Sequence, residues 1–279
     1  PLHFFTLYYV IDFMVSHVLS WWMDAILVFT LGVFGGLAVN LGHELGHKKS
    51  RLDKNLAKLA LASGAYGHFN IEHNAGHHRE VATPEDSASA RMGENIYQFA
   101  VREIPGGLQR AWKIETRRLA RQGKNWYSVD NQILHSYLMT VVIYALMTWV
   151  LGPEALFILL LHVPVVWWQL TSANYVEHYG LLRAKQANGT YERCEPWHSW
   201  NSNYLVSNLM LFHLQRHSDH HANPARSYQC LRHFDAAPQL PLGYMGMFLL
   251  AYVPPLWFRV MDQRLLQLVD GDHQRINVC

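Results

Sequence analysis

Apolar residues in this chain gather in long unbroken runs rather than in strand-like alternation. Two runs open it, at about 2–22 and 23–42, each close to the ~20 residues a helix needs to cross a bilayer. The Ser20-Trp21-Trp22-Met23-Asp24 turn between them predicts a transmembrane hairpin. A second hairpin is predicted at about 135–151 and 154–177, divided at Leu151-Gly152-Pro153, where proline suits a helix start. A further apolar run, 243–258, is short and broken by Pro254-Pro255, which reads as interfacial or buried rather than spanning. Gly32, Gly35, Gly36, Ala38 and Gly42 in the second run permit close helix packing or leave room for a narrow cavity. The pattern predicts an all-α fold, a polytopic transmembrane helical bundle forming one integral-membrane domain over 1–279, with no internal repeat.

Charge orients the hairpins. Lys48, Lys49, Arg51, Lys54 and Lys58 follow the first, Arg110, Lys113, Arg117, Arg118, Arg121 and Lys124 precede the second, and the turns inside each hairpin carry no Lys or Arg. The positive-inside rule then places the polar regions, about 43–130 and 178–279, in the cytoplasm. The basic stretch 102–124 reads as a helix against lipid headgroups, or as a docking site for an acidic partner. Charged residues are 16% of the chain, below the roughly 25% of soluble domains. A mean hydropathy of −0.05 averages apolar spans with a polar remainder. A net charge of +2 without aromatic-basic interleaving excludes a nucleic-acid binder. Cys194, Cys230 and Cys279 form no disulfide framework and suit a reducing face. The first residues lack a signal-peptide pattern and an initiator Met, so the chain is expected to begin partway through a longer protein.

Eighteen histidines are present, and their spacing says more than their number. His43 and His47 (NLGHELGHKK) are an i, i+4 pair on one helical face where the second span ends. His73, His77 and His78 (IEHNAGHH) repeat that step with one neighbour, His217, His220 and His221 (LQRHSDHH) give i, i+3 and i, i+4, and His178 (NYVEHYG) ends the fourth span. Any one of them, taken singly, reads as a cap or a hydrogen bonder. HELGH alone also fits the HExxH of zinc peptidases, with Glu44 as general base. Nine imidazoles exceed the three that a catalytic zinc uses. Two first-row ions use them economically, and imidazole suits iron. Neutral ligands leave the metal charge unbalanced, so Glu44, Glu72, Glu177 and Asp219, each beside a candidate ligand, are candidates to orient the rings, unless they are simply helix-end polar residues.

HELGHK, EHNAGHHREVATPED, WWQLTSANYVEHYGLLR and LQRHSDHH, in this order, resemble the membrane alkane 1-monooxygenases of the wider desaturase-like histidine-box superfamily, over nearly the whole chain. The resemblance implies two non-haem irons held by His43, His47, His73, His77, His78, His178, His217, His220 and His221. It implies O2-dependent terminal hydroxylation of medium-to-long n-alkanes to primary alcohols, with electrons from NAD(P)H through a rubredoxin reductase and rubredoxin. It also implies a six-span bundle in the bacterial inner membrane, its site cytoplasmic, with N-terminal spans absent from this chain. His213 is not required by the family pattern, and His68, His135, His162 and His198 read as hydrogen bonders. The alternatives are a membrane fatty acyl desaturase, an aryl-methyl hydroxylase, an intramembrane zinc metallopeptidase built on His43, Glu44 and His47, and a metal-transport protein.

Overall fold

The computed structural model describes all residues from Pro1 to Cys279. Its helices are α1 (Leu2–Ser16), α2 (Trp21–Gly46), α3 (Arg51–Ser63), α4 (Phe69–Glu72), α5 (His78–Glu80), α6 (Ile96–Ala120), α7 (Gln132–Leu151), α8 (Pro153–His178), α9 (Leu205–Met210), α10 (His217–Ala222), α11 (Tyr244–Ala251) and α12 (Pro254–Leu268). A π-helical turn, His73–His77, joins α4 to α5. There are isolated β-bridges and no strands, as expected of an all-α chain. The chain packs as two compact units, one of Pro1–Ile71 with Ala111–Leu170, the other of Glu72–Arg110 with Thr171–Cys279.

Helices α2, α7 and α8 are long and apolar enough to cross a membrane. They present exposed Phe29, Phe34, Val141, Leu146, Trp149 and Phe157, a surface that lipid rather than water satisfies. Two boundaries depart from the sequence reading. The run at 2–22 does not form one spanning helix: α1 is 15 residues, about 22 Å at 1.5 Å per residue, short of a ~30 Å hydrocarbon core. The break falls at 17–20 rather than 20–24, because extended Ser20 is the N-cap of α2, and Trp21 to Asp24 already form its first turn, where the aspartate favours the helix dipole. Leu7, Ile11 and Met14 of α1 pack with Leu31, Tyr144 and Leu159.

The α2 glycines serve packing rather than a cavity. A Cβ at Gly32 would lie 2.3 Å from that of Val165, one at Gly35 2.5 Å from Val166 Cγ2, and one at Gly36 2.6 Å from Gln169 Cγ. The α3 C-terminus is held by side chains that answer its unpaired carbonyls: Thr140 Oγ1 donates to Ala62 O (2.8 Å), Tyr144 Oη to Ser63 O (3.0 Å) and Trp167 Nε1 to Gly64 O (2.9 Å).

In the second unit Trp257, Tyr175, Tyr179, Tyr244, Phe99 and Ile96 are fully buried. Tyr175 Oη donates to Glu94 O (2.8 Å) and Tyr179 Oη to Asp262 Oδ1 (2.6 Å), so these rings bury without orphaning their hydroxyls. The C-terminal segment bridges Met92 to Val278 and Leu181 to Ile276. Gly180 (φ +72°) turns the chain out of α8, and a Cβ there would meet Leu265 Cδ2 at 2.1 Å. The 243–258 run is split by Tyr252 and Val253 into α11 and the start of α12, with Pro254 at the first turn and Trp257 buried. Within α6, Arg102 and Arg110 are not headgroup-facing: Arg102 pairs with Glu94 at 2.8 Å, and Arg110 is 14% exposed among carboxylates.

Candidate metal centre

The second unit brings seven histidines into two groups, all of them buried except half-buried His78. His77, His178, His217 and His221 offer ligand atoms that lie within 4.8 Å of one another. His217 Nε2 is 3.1 Å from His178 Nε2 and 2.9 Å from His221 Nε2. Ligands at right angles around an ion, with bonds of about 2.1 Å, sit about 3.0 Å apart. His73, His78 and His220 gather in the same way, with His73 and His78 Nε2 atoms 3.0 Å apart. In the first unit the rings of His43 and His47 lie side by side at the end of α2, centroids 5.1 Å apart.

Local backbone makes this sorting. The i, i+4 step expected of His73 and His77 is replaced by the π turn, whose i, i+5 repeat pairs His73 with His78 and turns His77 towards His178 and His221. In α10, His217 and His221 share one helix face while His220 turns towards His78, centroids 5.0 Å apart.

Hydrogen bonds fix the tautomers. His77 Nδ1–H donates to Asp86 Oδ2 (2.8 Å) and His178 Nδ1–H to the His198 carbonyl (3.3 Å). Each Nε2 is thereby left with a lone pair aimed into the group. His77 Nε2 is buried with no hydrogen-bond partner, a costly state in a protein of imidazoles alone. Lone pairs that converge in a buried site suit a cation, and the donor set fits a metal ion. Burial and the surrounding imidazoles push the His221 pKa well below its ordinary value, keeping it in the neutral form that binds metal.

Asp86 lies outside the four carboxylates singled out from sequence, although it closes the EHNAGHHREVATPED motif. Its Oδ2 also accepts from Ser89 Oγ (2.7 Å), while Oδ1 accepts from Ala88 N (3.2 Å) and Arg110 (2.9 Å). Burial would raise its pKa, but His77, Arg110 and Ser89 together hold it well below the usual range. Burial and the Asp86 charge push Glu72 up, only partly offset by Arg110.

The four expected carboxylates separate. Glu177 Oε2 lies 3.2 Å from His217 Nε2, on the converging side of the imidazoles rather than behind them. Glu72 faces Arg110 (3.5 Å) and Glu44 pairs with Lys48 (2.6 Å). Asp219 accepts from Arg226 (2.5 Å) and Arg232 (2.9 Å), which ties 226–232 to α10. His68 bonds Tyr137 Oη (2.8 Å), and His198 accepts from Glu195 N (2.9 Å) while facing Glu192 (3.1 Å), as hydrogen bonders would. His162 bonds Leu159 O, and His135 bonds Val129 O. His213 sits in a left-handed turn (φ 56°) and joins neither group.

Apolar spanning helices with buried, metal-ready histidine clusters define an integral-membrane, non-haem metalloenzyme of the histidine-box class. The family described as Fatty acid desaturase matches residues 19–258. The chain is 53% identical over its full length to an alkane 1-monooxygenase of Pseudomonas putida, spanning 69% of that protein. It is 54% identical over 93% of its length to alkane 1-monooxygenase 1 of Alcanivorax borkumensis, covering 66% of that protein. It is 26% identical over 81% of its length to the xylene/toluene monooxygenase hydroxylase component of Pseudomonas putida, covering 60% of that protein. The chain therefore belongs to the fatty acid desaturase family and, within it, to the alkane 1-monooxygenases.

Proposed function

We propose that the chain carries out O2-dependent terminal hydroxylation of medium-to-long n-alkanes to primary alcohols, at two iron ions held by nine histidines. One ion is assigned to His77, His178, His217 and His221. His73, His78 and His220 are assigned to the other, and His43 and His47 complete the nine proposed iron ligands. The observation that carries the reading is the pair of tautomer-fixed Nε2 lone pairs, on His77 and His178, converging in a buried group of four imidazoles. Bound iron would supply the redox chemistry that activates O2. The net reaction consumes one alkane, one O2, two electrons and two protons, and yields one alcohol and one water.

The chain's own contribution is positional. Asp86 and the His198 carbonyl hold two ligand rings, and Glu177 faces the same interior as the imidazoles. An alkane has no hydrogen-bonding group, so shape alone can select its terminal carbon. Rubredoxin, reduced from NAD(P)H by its reductase, is the proposed electron donor, and the basic residues around 49–54 and 113–124 suit an acidic partner on the cytoplasmic side of a bacterial inner membrane. Similarity to the xylene/toluene enzyme supports aryl-methyl hydroxylation as a second reading.

The test is product analysis by the full-length protein, reconstituted with rubredoxin, its reductase and NADH, on octane, hexadecane and toluene. Terminal alkanols as the main products support the proposal. Alkenes, or benzyl alcohol in strong preference to alkanols, contradict it.

A further inference from the structure

By sequence Arg110 falls among the basic residues that orient the hairpins, yet its side chain is only 14% exposed and lies among carboxylates. Its guanidinium donates to Asp86 Oδ1 at 2.9 Å and to the Glu85 carbonyl at 3.2 Å. It also faces Glu80 Oε2 at 3.3 Å and Glu72 Oε1 at 3.5 Å. The π turn has a glycine where it passes this group: a Cβ on Gly76 would lie 2.8 Å from Arg110 Nε and 3.1 Å from Glu72 Oε1. The guanidinium thus lies against the outside of the turn that carries His73 and His77 and leads into His78.

We propose that Arg110 is a positioning residue for both histidine groups of its unit: it clamps Asp86, which orients His77, to Glu72, which precedes His73. The inference rests on the two-iron reading above. Asp86 must present one oxygen to His77 while its other is fixed, and Arg110, with Ala88 N, fixes that other oxygen. Glu72 Oε1 faces the Nε edge of the same planar fork at 3.5 Å, an ion pair without a hydrogen bond, so the guanidinium charge lies between the two carboxylates that flank the π turn. A planar five-donor cation can reach two carboxylates at once, which a lysine ammonium does less well. Arg102, eight residues earlier in α6, is a natural control. It bonds Glu94 and the Ser87 and Ser89 carbonyls, on the same turn as Asp86, with no hydrogen bond to Asp86 or to any histidine.

The experiment compares full-length wild type, R110Q, R110K and R102Q in lipid nanodiscs. The readouts are iron retention against a chelator series, the Mössbauer spectrum after 57Fe loading, and the thermal midpoint. R110Q is expected to bind iron about tenfold or more weakly, the usual cost of losing a residue that supports a ligand. Both iron environments should shift in its spectrum, R110K should recover part of the affinity, and R102Q should lower the midpoint without changing the spectrum. Wild-type affinity and spectrum in R110Q overturn the inference, as does an R102Q spectrum altered in the same way as that of R110Q. If R110Q does not fold, an R110K spectrum and affinity identical to wild type overturn it. Wild type without iron would instead defeat the two-iron reading itself.

Discussion

Replacing Asp86 by asparagine exchanges one oxygen for an NH2 group and leaves the shape of a fully buried side chain nearly intact. The carboxylate accepts four hydrogen bonds, from His77 Nδ1 (2.8 Å), Ser89 Oγ (2.7 Å), Ala88 N (3.2 Å) and Arg110 (2.9 Å), and every one of these partners is a donor. An amide has one accepting oxygen, so its NH2 must face donors on one side. Turned towards Arg110, it leaves a mostly buried guanidinium without its nearest charge. Breaking such a pair costs about 3–5 kcal/mol in stability. Turned towards His77, it favours the tautomer that places the proton on Nε2, and that nitrogen can then no longer bind a metal. Loss of such a supporting bond weakens metal binding about 10- to 100-fold, or about 1.4–2.7 kcal/mol. D86N should therefore lose iron to a chelator at correspondingly lower concentration, and hydroxylation should fall with iron content. The assay is iron analysis after dialysis against graded chelator, with activity measured on the same samples. Wild-type iron affinity in well-folded D86N would refute the role given to the Asp86–His77 bond.

Gly180→Ala should lower stability by about 2–4 kcal/mol, because it adds a left-handed backbone penalty to a methyl overlapping Leu265, and a thermal midpoint within 2–3 °C of wild type contradicts this. Gly32→Val places a side chain on Val165 and should cost about 1–3 kcal/mol of α2–α8 packing, measured as earlier aggregation on heating in detergent. Burial pushes the Glu103 pKa up to about 7, only partly countered by Thr171 and Asn174. A raised folded pKa gives stability that is present below the unfolded value and is lost as pH rises through the folded one. Wild type should therefore lose on the order of 3 kcal/mol between about pH 4.5 and 7.5, and E103Q should flatten that part of the profile. An unchanged slope in E103Q would count against it.

Much of this architecture was legible in the residues. Runs of apolar residues located α2, α7 and α8 to within a few positions, because lipid-facing helices need no amphipathic period. The histidine motifs identified every member of the two groups in the second unit. The end of α1 is not legible in sequence because Val18, Leu19 and Trp21 continue the apolar run through a break set by backbone capping, which hydropathy does not register. The division of IEHNAGHH between two groups is hidden for a related reason: i, i+4 spacing implies one face only on an α-helix, and a π turn changes which residues share a face. Asp86 as a partner of His77, and Arg110 as a partner of Asp86, are not legible in sequence because 9 and 24 residues separate the pairs and only folding joins them. Asp219 was adjacent to histidines in sequence but is held by Arg226 and Arg232, a pairing that proximity along the chain could not reveal.

The central claim is tested most directly by metal analysis of the full-length protein purified from iron-replete cells and loaded with 57Fe. The account predicts two iron ions per chain, in two nitrogen-rich environments by Mössbauer spectroscopy. A single zinc ion per chain, with no iron, would contradict it.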